Sequence, residues 1–267
     1  MKKTTAITIA ALTALSSLAI AGDEIVAVIE DANSTATFGV DGQNSWIVDG
    51  VDHLYEQEFY FRRSGFNDEQ NINTLTLLGQ AINDTNPFSD DRADSFSSLY
   101  TDGNGLEVET IFTLRGGTDG SGVSDLAEQI SLTNTGTSTI FISFFQYVDF
   151  DLGDDSGDDW GQIVDGNVAQ QFDDEFALSE TVVTPTPTFF QMGEHEDMFD
   201  LWSNGVVDNL DGTSSHQGDV VWAFQWDIEL EAGDSFLISK DKSIVPAPGS
   251  LALLAGAGLI STRRRRA

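Results

Sequence analysis

The sequence predicts an all-β protein, an antiparallel β-sandwich, from two patterns. Short runs rich in Phe, Val, Ile, Thr and Trp alternate with turns rich in Gly, Asn and Asp. Helical periodicity is scarce between the two ends of the chain. The runs that predict strands most clearly are, in chain order, EIVAVIE, TATFGV, HLYEQEFYFRR, LEVETIFTL, EQISLTN, TIFISFFQYVDF, VVWAFQWDIEL and SFLIS.

Two of these runs predict strands near the centre of the fold. In VVWAFQWDIEL, the apolar residues Trp222, Phe224, Trp226 and Ile228 recur at every second position, so they share one face of a strand. Such an aromatic row favours the inward face of a sandwich, with a sugar-stacking platform as the alternative. The run TIFISFFQYVDF is apolar on both faces and predicts a central strand that is covered on two sides.

The connections between strands carry weaker signals. The stretch SLTNTGTSTIFISFF predicts a β-hairpin with Asn134, Gly136 and Ser138 at its turn. Residues 79–105 and 185–219 are polar and rich in turn residues, which is typical of loops that carry function or move. Within the second segment, MGEHEDMFDLW is compatible with one turn of helix.

The start of the chain predicts a secretory signal peptide. Lys2 and Lys3 precede an apolar run over residues 6–18, which predicts a signal helix. Ala19 and Ala21 then form the small-residue pattern that signal peptidase recognises. We therefore expect signal peptidase to remove residues 1–21 and leave Gly22 as the first residue of the mature protein.

The end of the chain predicts a short transmembrane helix followed by a basic tail. Residues 245–262 carry no charge. As a helix they would extend about 27 Å, slightly less than the ~30 Å hydrocarbon core of a bilayer. By the positive-inside rule, the arginines that follow hold the C-terminus in the cytoplasm while the body lies outside. These arginines are Arg263, Arg264, Arg265 and Arg266.

The order of parts at this end resembles the PEP-CTERM sorting signal. A proline motif comes first, a short helix rich in Leu, Ala and Gly follows, and the arginine cluster is last. Ala247 stands where the family name has Glu. The motif consists of Val245, Pro246, Ala247, Pro248 and Gly249.

Proteins with this signal are exported and processed by exosortases in Gram-negative bacteria that make extracellular polysaccharide. The resemblance therefore implies an exosortase as a partner, a precursor inserted transiently in the inner membrane, and a final place at the cell surface or in the extracellular matrix. The body is similar to the uncharacterised single-domain β proteins that commonly precede such tails. Residues 245–267 are accordingly assigned to the sorting signal.

Between the two ends, residues 22–244 predict one strongly acidic domain, since no linker-like break interrupts them. This body has six basic residues against 44 acidic residues, a formal charge of −38. The charge excludes nucleic acid and anionic lipid as partners. The absence of cysteine excludes disulfides and thiol chemistry. The basic residues of the body are Arg62, Arg63, Arg92, Arg115, Lys240 and Lys242.

No residue pattern predicts a catalytic site. The histidines His53, His195 and His216 lie outside any GxSxG or HExxH motif. With so many acidic residues, some pair of neighbouring carboxylates is unavoidable, so the sequence cannot single one out. We therefore expect a non-enzymatic structural or binding module. The alternatives are a carbohydrate-binding module, which would expose Trp160 or Trp202 on a concave face, and a polysaccharide-degrading enzyme with paired carboxylates in a groove.

The densest group of acidic residues follows the run TIFISFFQYVDF directly. Carboxylates this close repel one another unless water separates them or a hard cation bridges them. Calcium is therefore the candidate cofactor, with a merely solvated loop as the alternative, and the loop does not match an EF-hand. The candidate ligands are Asp149, Asp151, Asp154, Asp155, Asp158 and Asp159.

Overall fold

Two antiparallel β-sheets pack face to face in the computed structural model, which describes residues 25–88, 90–157, 159–202 and 204–247. This architecture confirms the predicted all-β sandwich. The expected signal peptide and the sorting signal from Pro248 onward lie outside the described residues.

The strands follow one another with short connections. In chain order they are β1 (Ala27–Asp31), β2 (Ser34–Phe38), β3 (Gly42–Val48), β4 (Val51–Asp52), β5 (Glu56–Arg63), β6 (Gln70–Asn71), β7 (Thr76–Asn83), β8 (Ser95–Thr101) and β9 (Leu106–Gly116). They continue as β10 (Ser124–Asn134), β11 (Ile140–Asp149), β12 (Asp159–Val164), β13 (Val168–Phe172), β14 (Phe176–Thr184), β15 (Phe189–Glu194), β16 (Ser215–Gly218), β17 (Val220–Leu230) and β18 (Ser235–Pro246). A short helix, α1 (His195–Phe199), follows β15.

The strand order differs from the chain order in both sheets. Sheet A runs β1-β2-β3-β5-β11-β17-β15, with β4 beside β3 and β6 beside β5. Sheet B runs β16-β12-β13-β14-β18-β10-β9-β8-β7. The long central strands β11 and β17 of sheet A therefore lie beside each other although many residues separate them in the chain.

Alternation of side chains along the strands builds the core between the sheets. In β10, Leu126, Ile130 and Leu132 are fully buried, whereas Ala127 and Gln129 between them are exposed. Trp222 and Trp226 of β17 are also buried, which confirms the inward aromatic row. Because large aromatic side chains dominate this interior, the sandwich is held together mainly by burial of apolar surface.

A second apolar cluster covers the outer face of sheet A. Phe145 and Tyr147 of β11 point away from the main core and pack against Met198 and Trp202, which lie on and just after α1. The segment after β15 thus shields a face of the sheet that would otherwise meet water. This cover explains why the β11 sequence is apolar on both sides, as its pattern predicted.

The predicted hairpin at Asn134 is wrong, because β10 and β11 belong to different sheets. β10 pairs with β9 and β18, whereas β11 pairs with β5 and β17. The buried Asn134 side chain fixes the crossing. Its Nδ2 donates to the carbonyls of Ser138 and Leu230 at 2.9 and 3.0 Å, and its Oδ1 accepts from the Gly136 N–H at 2.9 Å.

The two polar segments whose composition is typical of loops contain regular structure. Residues 79–105 hold part of β7 and all of β8, and residues 185–219 hold β15, α1 and β16. At the C-terminal end, β18 continues through Val245 and Pro246, and the Ala247 N–H donates to the Glu175 carbonyl at 2.8 Å. Val245 and Pro246, the first two residues of the expected sorting motif, are therefore part of the sandwich. In the part of the chain that the structure describes, no helix has the length and apolarity needed to cross a bilayer.

Two lysines and two glutamates form ion pairs inside the sandwich. Lys240 Nζ is 2.9 Å from Glu128 Oε1 and 3.2 Å from Glu180 Oε1, and Lys242 Nζ is 3.2 Å from Glu128 Oε2. The lysines come from β18, and their partners come from β10 and β14 on either side of it. We call these four residues the buried ion network. Its two positive and two negative charges balance, which is the condition under which burial of charge is tolerated.

Candidate functional site

Three carboxylates meet where β11 ends and β17 begins. Asp149 is the last residue of β11, Asp151 follows it, and Asp219 directly precedes β17. Because β11 and β17 are antiparallel neighbours, the end of one lies beside the start of the other. One carboxylate oxygen from each residue lies within 4.8 Å of the other two. We call Asp149, Asp151 and Asp219 the carboxylate cluster.

A histidine contacts the most buried member of the cluster, and a tyrosine contacts that histidine. His195, the first residue of α1, places its Nδ1 2.7 Å from Asp149 Oδ2 and 3.1 Å from Tyr147 Oη. Asp149 is only 2% exposed. Its second oxygen, Oδ1, is buried and has no hydrogen-bond partner among the described residues. One carboxylate oxygen of Asp149 therefore has a hydrogen-bond partner, and the other has none among the described residues.

Burial and mutual repulsion disturb the titration of the cluster. Burial, followed by the charges of Asp151 and Asp219, raises the pKa of Asp149 to about 8. The pKa values of Asp151 and Asp219 are also raised, in both cases mainly by burial. Removal from water and negative neighbours both penalise the ionised form of these carboxylates, and a bound cation would relieve that penalty.

A cleft of about 200 Å³ opens beside the cluster, along β3 and β5. Burial raises the pKa of Glu56 to about 7, with further contributions from Glu58 and Asp149. Burial also raises the pKa of Glu58, although Tyr60 donates a hydrogen bond to its carboxylate. The residues that line the cleft are Asp41, Gln43, Asn44, Tyr55, Glu56, Gln57 and Glu58.

The cleft and the cluster together form a strongly anionic end of sheet A. The nearest arginine along β5 is Arg62, six residues beyond Glu56, which is roughly 20 Å away along an extended strand. Arg62 is moreover paired with Glu69. This end of the sheet can accept cations and uncharged ligands, whereas it would repel phosphates and carboxylates.

Only some of the acidic residues predicted from the sequence as calcium ligands lie in the carboxylate cluster. Asp149 and Asp151 lie in the cluster, but Asp154 and Asp155 are exposed beyond it. Asp159 is buried and accepts a hydrogen bond from Gln171 Nε2. Asp158 lies outside the described residues.

The sequence did not identify Asp219 or His195 as partners of the Asp149 loop. One signal was available for Asp219, because it stands directly before a strand as strongly apolar as the one that Asp149 ends. Two central strands of a sandwich are candidates for antiparallel neighbours, whose opposite ends meet. No comparable signal marked His195, which depends on how the segment after β15 folds back over sheet A.

The other two histidines have local roles. His53 is fully buried and accepts a hydrogen bond from the Gly153 N–H at its Nδ1. Burial lowers the pKa of His53 to about 4, so this side chain is neutral at physiological pH. His216 Nε2 lies 2.8 Å from a carboxylate oxygen of Glu194 at the half-exposed edge of sheet B.

A second candidate site lies on the outer face of sheet B. Trp160 of β12 is 41% exposed and stacks on Phe172 of β13, with ring centroids 5.8 Å apart and planes inclined by 25°. On the same face, Gln162 Nε2 donates to Gln170 Oε1 at 2.9 Å. We call these four residues the Trp160 platform.

The platform belongs to two rows of uncharged side chains that cross five strands. The aromatic row contains Gln217, Trp160, Phe172, Ala177 and Val245, and the polar row contains Ser215, Gln162, Gln170, Ser179 and Ser243. Such a neutral surface contrasts with the acidity of the body as a whole. Trp202, the other tryptophan considered for binding, is buried against Tyr60, with centroids 4.8 Å apart.

No protein-family model matches the sequence. No curated protein matches it either. The fold, in contrast, resembles those of solved proteins.

A bacterial glucoamylase in complex with acarbose superposes with a TM-score of 0.59 at 10% identity, over 92% of this chain and 37% of that chain. The present chain thus spans little more than a third of the glucoamylase. The Slr1438 protein from Synechocystis sp. PCC 6803 superposes with a TM-score of 0.51 at 10% identity, over 87% of this chain and 100% of that chain. A putative aldose 1-epimerase from Escherichia coli K12 superposes with a TM-score of 0.50 at 11% identity, over 82% of this chain and 98% of that chain. At such low identities the likeness shows that these proteins share a sandwich fold.

Proposed function

We propose that the protein is exported, sorted to the cell surface or the extracellular matrix, and acts there as a non-enzymatic module that binds neutral polysaccharide. The observation that carries the binding function is the exposed Trp160 stacked on Phe172 within an uncharged strip of an acidic protein. The export and sorting signals at the two ends support the location. Signal peptidase and an exosortase are the processing partners in this proposal.

The chemistry of the Trp160 platform suits a sugar chain. The flat face of an aromatic ring can pack against the apolar face of a pyranose, as it packs against other apolar surfaces. The Gln162 and Gln170 amides and the hydroxyls of Ser179 and Ser243 supply donors and acceptors for sugar hydroxyls. Because the body carries a charge of −38, an uncharged polysaccharide suits it better than an anionic one.

The structural likenesses support the same class of ligand by analogy. The names of the glucoamylase and the putative aldose 1-epimerase both refer to proteins that act on sugars. A fold does not determine an activity, and the ligand of this chain is set by its own side chains.

The binding test compares two exposed aromatic residues. We expect the mature protein to be retarded in native gels that contain a soluble neutral polysaccharide, with amylose, β-1,3-glucan and galactomannan as probes. Trp160→Ala should weaken binding at least tenfold, the effect of truncating an anchor worth about 1.4 kcal/mol or more. Phe141→Ala is the matched control, because Phe141 is 53% exposed on the other sheet.

Three outcomes of this test would contradict the proposal. These are an absence of retardation by every neutral probe, equal retardation of the Trp160→Ala variant, and retardation by alginate alone. Circular dichroism of both variants establishes that the sandwich is intact. Loss of binding in Trp160→Ala but not in Phe141→Ala would place the ligand on sheet B.

The sorting part of the proposal has its own test. Intact-mass analysis of the extracellular protein, produced in a host that has an exosortase, should find Gly22 at the N-terminus and no C-terminal helix. An extracellular form that retains Met1 or the four terminal arginines would overturn this part of the proposal. The same production in an exosortase-deficient host should leave the tail attached.

A second candidate function is sugar processing in the anionic cleft, favoured by the convergence of Asp41, Glu56 and Glu58 on one space. A carboxyl group whose pKa is raised toward neutrality can donate a proton to a glycosidic or ring oxygen. Release of reducing sugar, or accelerated mutarotation of an aldose, that disappears in Glu56→Gln would favour this function over pure binding. Activity that survives in Glu56→Gln, or no activity in the wild type, would count against it.

A further inference from the structure

We propose that Asp149, Asp151 and Asp219 bind one calcium ion, which joins the end of β11 to the start of β17. The carboxylates come from two segments of the chain, and one oxygen of each lies within 4.8 Å of the others. This site differs from a calcium loop formed by consecutive acidic residues, since Asp219 belongs to another strand. It is independent of the Trp160 platform, which lies on the other sheet.

The buried oxygen of Asp149 is the observation that points to a ligand. Its Oδ2 is occupied by the contact with His195 Nδ1 at 2.7 Å. Its Oδ1 is buried without a hydrogen-bond partner among the described residues. An unpaired buried carboxylate oxygen costs folding free energy, and a cation bound to it would remove that cost.

Few positively charged side chains in the described part of the protein lie close enough to compensate the negative charge of the carboxylate cluster. His195 is in contact with the cluster, but the arginines of β5 lie at the far end of that strand, where Arg62 and Arg63 are paired with Glu69 and Asp102. Mobile sodium ions screen exposed charges well and buried ones poorly. A directly coordinated ion would compensate the buried Asp149 together with the half-buried Asp151 and Asp219.

The spacing of the oxygens favours calcium over magnesium. Two ligands on opposite sides of a calcium ion can be about 4.6–5.2 Å apart, because Ca–O distances are about 2.3–2.6 Å. For magnesium the corresponding limit is about 4.2 Å, with stricter octahedral geometry. The upper limit of 4.8 Å on the separations of the three oxygens lies within the range for calcium and above the limit for magnesium. Water would complete the coordination, since calcium takes about six to eight oxygens.

The role that follows is structural. The ligands lie far apart in the chain and are brought together only by folding, so calcium binds the folded form in preference to the unfolded form. At a hundredfold excess over Kd, this linkage should raise Tm by about 5–10 °C for a domain of this size.

The experiment titrates the EDTA-treated mature protein with calcium chloride at fixed ionic strength, and it measures both Tm and the heat of binding at 25 °C. Asp219→Asn and Asp151→Asn should each weaken calcium binding at least tenfold and lose most of the rise in Tm. The combined Asp154→Asn and Asp155→Asn variant is the matched control. It removes two exposed acidic residues from the same loop and should keep the response of the wild type.

The two kinds of measurement separate a bound ion from general screening. Saturable binding in the wild type and the control, with loss in both cluster variants, would support the proposal. Equal calcium responses in the wild type and Asp219→Asn would overturn it, as would loss in the control alone. A magnesium response as strong as the calcium response would overturn the choice of metal. If a cluster variant proves too unstable for a melting curve, the heat of binding at 25 °C for the other one decides.

Discussion

Replacing Lys242 with Met tests how the sandwich tolerates four charges in its interior. Lys242 Nζ lies 3.2 Å from Glu128 Oε2, and both side chains have no solvent exposure. Met keeps the length and the apolar stem of the lysine but removes the ammonium group. The variant therefore leaves the buried ion network with one positive and two negative charges.

The magnitude follows from the distance and the burial. At 3.2 Å and an effective dielectric constant of about 20, a pair of unit charges attracts by roughly 5 kcal/mol. Breaking such a pair on one side leaves an uncompensated buried charge and costs about 3–5 kcal/mol. We expect Lys242→Met and Glu128→Gln each to destabilise by this amount, which corresponds to roughly 6–20 °C in Tm for a domain of this size.

The double variant is predicted to be more stable than either single variant. Lys242→Met with Glu128→Gln restores electrical balance, because Lys240 and Glu180 remain paired at 3.2 Å. Its cost should fall to about 0–2 kcal/mol, since replacing both members of a buried pair is often close to neutral. Urea unfolding followed by tryptophan fluorescence measures all four proteins in one double-mutant cycle.

A double variant whose cost equals the sum of the two single costs would refute this reasoning, because the charges would then act independently. Arg115→Met serves as the control, since Arg115 is exposed and its replacement should change stability by about 0.5 kcal/mol or less. If the single variants do not fold, recovery of folded protein in the double variant gives the same answer.

Two further predictions concern single buried side chains. Asn134→Ala removes the three hydrogen bonds at the crossing between the sheets and should cost about 2–4 kcal/mol in urea unfolding, whereas the exposed Asn104→Ala should cost little. For His53, the unfolded chain takes up a proton below about pH 6.5 and the folded protein only near pH 4. Stability should therefore fall by up to about 3 kcal/mol as the pH drops through that window, and His53→Gln should lose this part of the pH dependence. A pH profile identical in both proteins would show that other groups cause the loss.

The local sequence pattern predicts individual strands, but it does not predict which strands pair with each other. The run VVWAFQWDIEL corresponds residue for residue to β17, because its period of two and its length both suit a buried strand. The stretch around Asn134 has the composition of a hairpin turn, but turn composition does not say whether the next strand pairs or crosses. Here the choice is made by the long-range contact of Asn134 with Leu230, which no local window contains.

The same limit applies to the carboxylate cluster. The density of acidic residues pointed to Asp149, near the end of a strongly apolar run, and to Asp151, directly after that run. It also led to Asp154 and Asp155, which the structure leaves exposed, because composition does not distinguish solvated carboxylates from buried ones. Burial of the Asp149 carboxylate depends on α1, and α1 is held in place by the contacts of Met198 and Trp202 with sheet A.

The two proposed sites differ in whether they contain acidic side chains that are removed from water. Exposed carboxylates over most of the surface are hydrated and screened at ordinary ionic strength, so they need no specific partner. At the end of sheet A, α1 and the paired strands remove water from Asp149 and Glu56, and their charge must then be compensated by protons or by a bound cation. The outer face of sheet B at Trp160 carries two rows of uncharged side chains, which need neither kind of compensation and therefore suit an uncharged ligand.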